Sequence, residues 1–208
     1  MSSASTITTS NATASTSEEA GSAAQRDRRK RILDATFALA TEGGFDAVQM
    51  RAVAEKADVA LGTLYRYFPS KVHLLVSALA RVLERTETNT RAHEVPGDTS
   101  ADRVIFVMKR ITRGMQGDPR LTEALTRAFM FADASVAQEI HVVGTHLTSI
   151  LTHAIRPDAD EATPEDVVIA RVIGDVWLSA LVAWVTGRST AAQTGSHLET
   201  AIALLLRD

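Results

Sequence analysis

"ADVALGTLYRYFPSK", residues 57–71, gathers Tyr65, Tyr67 and Phe68 beside Arg66 and Lys71, and it holds both tyrosines of the chain. Gly62 stands near the start of what the spacing predicts as a short helix, which Pro69 closes. Just upstream, "MRAVAEKA" (50–57) predicts another short helix. Residues 49–68 therefore read as helix, tight turn, helix, with Ala52, Val53, Val59 and Leu64 spaced to pack the pair together. That is the pattern of a helix-turn-helix, whose second helix fits the major groove of duplex DNA. The reading accounts for the odd composition. Gly62 lets the DNA backbone come close, and Thr63 reaches a phosphate or a thymine methyl. Tyr65 and Tyr67 hydrogen-bond phosphates from their tips, Arg66 carries charge toward the groove, and Lys71 neutralises a phosphate. Phe68 is expected in the core.

The charge distribution agrees. Net charge is −3, but residues 26–71 hold nine basic against six acidic residues, while residues 72–208 hold 13 against 17. A basic module on an acidic body turns one end toward a polyanion. Within it, "RDRRKR" (26–31) reads equally as a solvated helix end or as an arm in which Arg28 and Arg29 reach DNA. There is no cysteine, which excludes disulfides, thiol catalysis and zinc sites with sulfur ligands, and fits a reducing cytoplasm. Residues 1–25 are polar and rich in Ser, Thr and Ala, lack the features of a signal peptide, and are expected as a disordered tail. The most membrane-like stretch, 167–185, is interrupted by Arg171 and Asp175, so a buried helix is expected.

Helical periodicity runs through the rest of the chain, and no segment alternates like a strand. The expected fold is all-α, with about nine helices: an N-terminal three-helix DNA-binding domain (26–72) and a helical effector-binding and dimerisation domain (73–208). Helix one is expected from Arg28 to Ala40, ended by the glycines of "EGG" (42–44). No glycine-rich phosphate loop, nucleophile elbow or acid pair marks an enzyme. His141 and His146 are five residues apart, wrong for one helix face, so neither a metal nor another cofactor is expected.

The stretch "RRKRILDATFALATEGGFDAVQMRAVAEKADVALGTLYRYFPSKVHLLVSAL" resembles the TetR family of one-component transcriptional repressors. The resemblance implies that Gln49, Arg51, Leu61, Gly62, Thr63, Tyr65, Tyr67 and Lys71 fall at DNA-contacting positions. Two features depart from the family pattern. Val48 and Gln49 stand where Ser or Thr usually caps the second helix, and Asp58 and Ala60 replace Gly and Ser in the turn. Ala60 forgoes a side-chain cap worth about 1 kcal/mol.

Two further segments, "LTEALTRAFMFADASVA" and "ARVIGDVWLSALVAWVTGR", are similar to actinobacterial members of the family that repress cholesterol catabolism. That similarity implies an effector that is a coenzyme A thioester of a cholesterol side-chain degradation intermediate; a fatty acyl thioester or a drug is the alternative. Phe106, Met108, Met115, Phe129, Met130 and Phe131 form an aromatic and methionine stripe that reads as core or as an adaptable pocket wall. The implied ligand adds Trp177 to that wall and needs basic groups at its mouth, for which Arg120, Arg127 and Arg171 are available. A single recognition helix buries little surface, so a homodimer on a palindromic operator is expected. The last two helices are the expected interface, with Ile173, Trp177, Ala180 and Trp184 on a helix apolar around most of its circumference, so that one face packs inward and the other against a twin; a single deeply buried central helix is the alternative.

Overall fold

The computed structural model describes residues 8–207, and among these there are nine α-helices, one short 3-10 turn and no strand. The order is α1 (Thr8–Ala47), α2 (Met50–Lys56), α3 (Leu61–Tyr67), α4 (Lys71–Arg91), α5 (Ser100–Gln116), α6 (Pro119–Met130), α7 (Ala137–Ile155), α8 (Pro164–Val185) and α9 (Ala191–Leu205). The 3-10 turn, Ala134–Val136, precedes α7.

Helix one differs from expectation at both ends. It begins at Thr8, so residues 8–25, expected as a disordered tail, are helical; residues 1–7 lie outside the described residues. The stretch from 8 to 40 contains no proline, and its i,i+4 pairs Asp27–Arg31 and Lys30–Asp34 support a helix. At the other end the chain kinks at Gly43 and Gly44 and makes one more turn to Ala47. Gly44 has φ +67°, a conformation in which a Cβ would be strained.

Local chemistry sets the other boundaries. Ser70 caps α4 by accepting from the His73 N–H. Reciprocal capping boxes start α5 (Thr99 with Asp102), α8 (Thr163 with Asp166) and α9 (Thr190 with Gln193), while Asp118 caps α6 ahead of Pro119. The apolar faces then close one core. α4 packs on α6 and α7, α1 on α6, α5 on α7 and α9, and α8 on α6, α7 and α9. Although α8 is long and apolar enough to cross a membrane by length and composition, Ala170, Ile173, Trp177 and Leu181 are buried in this core.

Two polar junctions tie α1 to the body. Arg81 on α4 pairs with Asp34 at 2.8 Å and donates to the Lys30 carbonyl. Burial works to raise the Asp34 pKa, but the Lys30 hydrogen bond and the Arg81 charge outweigh it and hold the carboxyl below its ordinary value. Around the kink, Glu123 on α6 accepts from the Phe45 N–H at 3.1 Å, and Arg120 donates to the Glu42 carbonyl at 2.6 Å.

Candidate nucleic-acid interface and effector cavity

α2 and α3 are held as a pair from beneath. Val53, Leu64 and Phe68 are fully buried, with Val59, Leu61 and Tyr67 packed against them. Asp58 makes the turn with φ +52°, and Arg31 on α1 donates to the Ala57 carbonyl at 2.9 Å, bracing that turn. Neither Gln49 nor Ala60 offers a side-chain cap, so the amides of the first turns of α2 and α3 have no cap acceptor. Gln49, Arg51, Gly62, Tyr65 and Arg66 are exposed, with Tyr65 47% accessible, while Leu61, Thr63 and Tyr67 are half-buried at the edge of the same face. A Cβ built on Gly62 would meet nothing within 4 Å, so the protein's own packing does not require glycine there.

The flanking cations are more occupied than the sequence suggested. The Lys71 ammonium lies 3.9 Å over the Phe45 ring; burial lowers its pKa, with Asp46 raising it and Arg127 lowering it. The Arg29 guanidinium sits 4.8 Å over Phe68, and Arg28 is half-buried. Arg29 and Arg31 thus buttress the helix pair from α1, and Lys30 joins Asp34.

A cavity of about 590 Å³ opens among α4, α5, α6, α7 and α8. Its buried wall is formed by Leu79, Met115, Thr126, Val143, Thr152, Ala170, Trp177 and Leu181, with half-buried Phe129. Its exposed rim carries Arg91, His141, Thr145, Arg171 and Asp175. Leu79 and Arg91 both line it and are twelve residues apart on α4, about 18 Å along the axis. The space is therefore long, apolar inside and polar at one side. At the rim Arg91 donates to Ser149 Oγ at 2.7 Å and pairs with Glu87 at 3.3 Å, and Glu87 also accepts from His146 at 2.7 Å. Burial works to raise the Glu87 pKa, but hydrogen bonds from Ser149, His146 and Arg91 outweigh it and lower the value.

Met115, Phe129, Trp177 and Arg171 line this cavity as expected, but six other residues assigned to it lie elsewhere. Phe106 is 41% exposed beside a shallow crevice with His93 and Arg110. Met108 is buried between α5 and α9, next to Leu198 and Ile202. Arg120 is bonded to the Glu42 carbonyl, and Arg127 pairs with Asp46 and Glu123 while lying over Phe45. Met130 and Phe131 are exposed. Helix geometry gives the reason, since each residue turns about 100°, and Arg127 and Met130 point away from the cavity because their neighbours Thr126 and Phe129 point in. Sequence reading assigned no residue of α7 to the cavity. Its Gly144, Thr145, Thr148, Ser149 and Thr152 all line the space, and the signal was there: small, weak helix formers set into an otherwise apolar helix.

Three of the four residues expected at the dimer face lie inside the single chain. Ile173, Trp177 and Ala180 are buried within the single chain, and the Trp177 Nε1–H donates to Thr112 Oγ1 at 3.1 Å. Trp184 is half-buried against the same core. The outward apolar groups of these two helices are Val168 (61% exposed) and Val172 on α8 and Leu204 (54%) on α9.

An exposed, basic helix-turn-helix joined through one long helix to a body with an apolar cavity is the design of a ligand-responsive DNA-binding regulator. Residues 32–78 match the family described as bacterial regulatory proteins, tetR family, and residues 97–205 match the tetracyclin repressor-like C-terminal domain. The chain belongs to the TetR family and is a helix-turn-helix transcriptional repressor. It is 56% identical over 191 residues to the HTH-type transcriptional repressor KstR of Rhodococcus jostii (strain RHA1), spanning 92% of this chain and 88% of that one. It is 53% identical over 190 residues to KstR of Mycobacterium tuberculosis (strain ATCC 25618 / H37Rv), spanning 91% and 86%. A crystal structure of a TetR transcriptional regulator from Rhodococcus sp. RHA1 is 33% identical, with a TM-score of 0.80 over 88% of this chain and 97% of that one. The Thermus thermophilus FadR repressor, solved in complex with lauroyl-CoA, shares the fold at 18% identity and a TM-score of 0.68, over 86% and 93%.

Proposed function

We propose that this repressor acts in the cytoplasm on genes of cholesterol and lipid catabolism, and that a steroid coenzyme A thioester releases it from its operator. The observation that carries the proposal is the position of α4. The helix starts at Lys71, directly after the recognition helix and Phe68, and further along it places Leu79 and Arg91 in the cavity wall. A ligand that favours a different seating of α4 therefore also favours a different seating of α3. The route through α6 points the same way, because Thr126 and Phe129 line the cavity while Arg120 and Glu123 hold the end of α1. Residues 26–72 serve as the DNA-binding unit and 73–208 as the effector and dimerisation unit. Two chains, meeting through the outer faces of α8 and α9, present recognition helices about 34 Å apart to a palindromic duplex.

The slot suits an elongated apolar body, and Arg171 at the rim supplies a cation for the phosphates of a coenzyme A tail. The likeness to KstR repressors supports the steroid assignment. A fatty acyl thioester is the second reading, favoured by the open shape of the slot and by the acyl-CoA complexes of neighbours that share the fold. Titrating the repressor–operator complex separates these ligands. Cholesterol-derived thioesters should release the DNA, with stearoyl-CoA and free steroid acids far weaker. Linkage requires DNA to weaken thioester binding by the same factor as the thioester weakens DNA binding. Release by free acids alone would refute the thioester assignment.

A further inference from the structure

His73 is a buried imidazole at the junction of the DNA-binding unit and the body. It is the third residue of α4, 7% exposed, and the residues that follow it, Leu74, Leu75 and Val76, are wholly buried apolar groups. Both ring nitrogens are engaged. Nε2 lies 3.1 Å from the Ser135 carbonyl, which can only accept, so Nε2 carries a proton and donates it. Nδ1 lies 2.9 Å from the Ser70 hydroxyl, whose oxygen also accepts from the His73 N–H as the cap of α4. The two ends of this link belong to different parts of the molecule. Ser70 and His73 follow directly on α3 and its buried anchor Phe68. Ser135 lies in the 3-10 turn that runs straight into α7, where Ile140 and His141 line the cavity. That turn is itself fixed, because Asp133 accepts from the Ser135 N–H at 2.9 Å and from its hydroxyl at 2.6 Å, and Val136 is buried.

We infer that His73 is a positioning residue for operator release: its ring ties the start of α4 to the turn that opens α7, so that a shift of α7 at the cavity moves the recognition helix. Apolar packing alone would let α7 slide past the start of α4. A buried, directional hydrogen bond holds the two in register. The inference rests on reading the cavity as the effector site. It adds a connection from α7, separate from the continuity of α3 with α4 and from the contacts of α6 with α1.

The test compares wild type, His73→Leu and His73→Gln. Leucine fills the space and removes both ring hydrogen bonds, whereas glutamine keeps an amide N–H for the Ser135 carbonyl. Operator affinity is measured with and without saturating cholestenoyl-coenzyme A, and thioester affinity with and without DNA. His73→Leu should cut the factor by which each ligand weakens the other by about ten-fold, while each affinity alone stays within about two-fold of wild type. His73→Gln should recover most of that factor. An unchanged factor in the leucine variant, or a glutamine variant as uncoupled as leucine, would make the ring a packing group and overturn the inference.

A second measurement needs no effector. Operator DNA should slow amide hydrogen exchange at residues 134–141 of wild type, and His73→Leu should lose that protection while α3 remains protected by DNA. Failure of the thioester to bind or to release wild type would refute the effector assignment, and the exchange result would still decide the role of His73. No slowing at 134–141 in wild type would overturn the inference, whatever the effector.

Discussion

Replacing Gly62 with alanine should leave the protein folded and slightly more stable while reducing operator affinity at least about ten-fold, or 1.4 kcal/mol. Gly62 lies inside α3, where glycine costs about 1 kcal/mol relative to alanine. Its added Cβ would meet nothing within 4 Å, so no internal clash cancels the gain. A melting temperature about 2–4 °C higher is expected for a domain of this size. The loss of affinity has a separate cause, the exclusion of a phosphate that approaches the bare backbone beside Thr63. The two effects have opposite signs, which separates them from general damage. Parallel thermal melts and binding titrations check the pair; unchanged DNA affinity would mean that the helix does not meet the duplex at Gly62.

A larger loss is expected from placing charge on the outer face of α8 and α9. Val168 and Leu204 are mostly exposed in the single chain, so Val168→Asp with Leu204→Asp removes no internal packing. In a dimer joined through that face, four carboxylates would be buried against apolar surface without partners, which two folded chains cannot tolerate. Sedimentation should show a folded monomer. Operator affinity should fall by at least about a hundred-fold, toward the weak non-specific level, because one recognition helix then reads one half-site. A variant that stays dimeric would locate the interface elsewhere.

The helices were legible because their ends are written locally. Ser70, Asp118, Thr163 and Thr190 are capping residues, Pro119 and Pro164 open helices, and "EGG" marks the kink. The exposed side of α3 was legible for a related reason: the helix is too short to hide Tyr65 and Arg66, and both are exposed. The cavity was not legible from its aromatic stripe. Which side of α5 and α6 faces inward depends on how α4, α7 and α8 pack against them, and periodicity within one helix carries no such information. Trp177 illustrates the limit. Its size suits a dimer contact or a pocket equally, and its burial and hydrogen bond to Thr112 on α5 show that it points inward. The charge run at 26–31 had two readings, arm or solvated end, and neither anticipated that Arg29 and Arg31 also brace the helix pair.

The most direct measurement is the affinity of the Tyr65→Ala, Arg66→Ala double variant for the duplex upstream of its own gene, taken across a range of salt concentrations. Both side chains are exposed, so the variant should keep the wild-type melting temperature. The account predicts an affinity loss of at least about a hundred-fold and a shallower dependence of log affinity on log salt, by about one unit per lost phosphate contact. Wild-type affinity with an unchanged salt slope would contradict it.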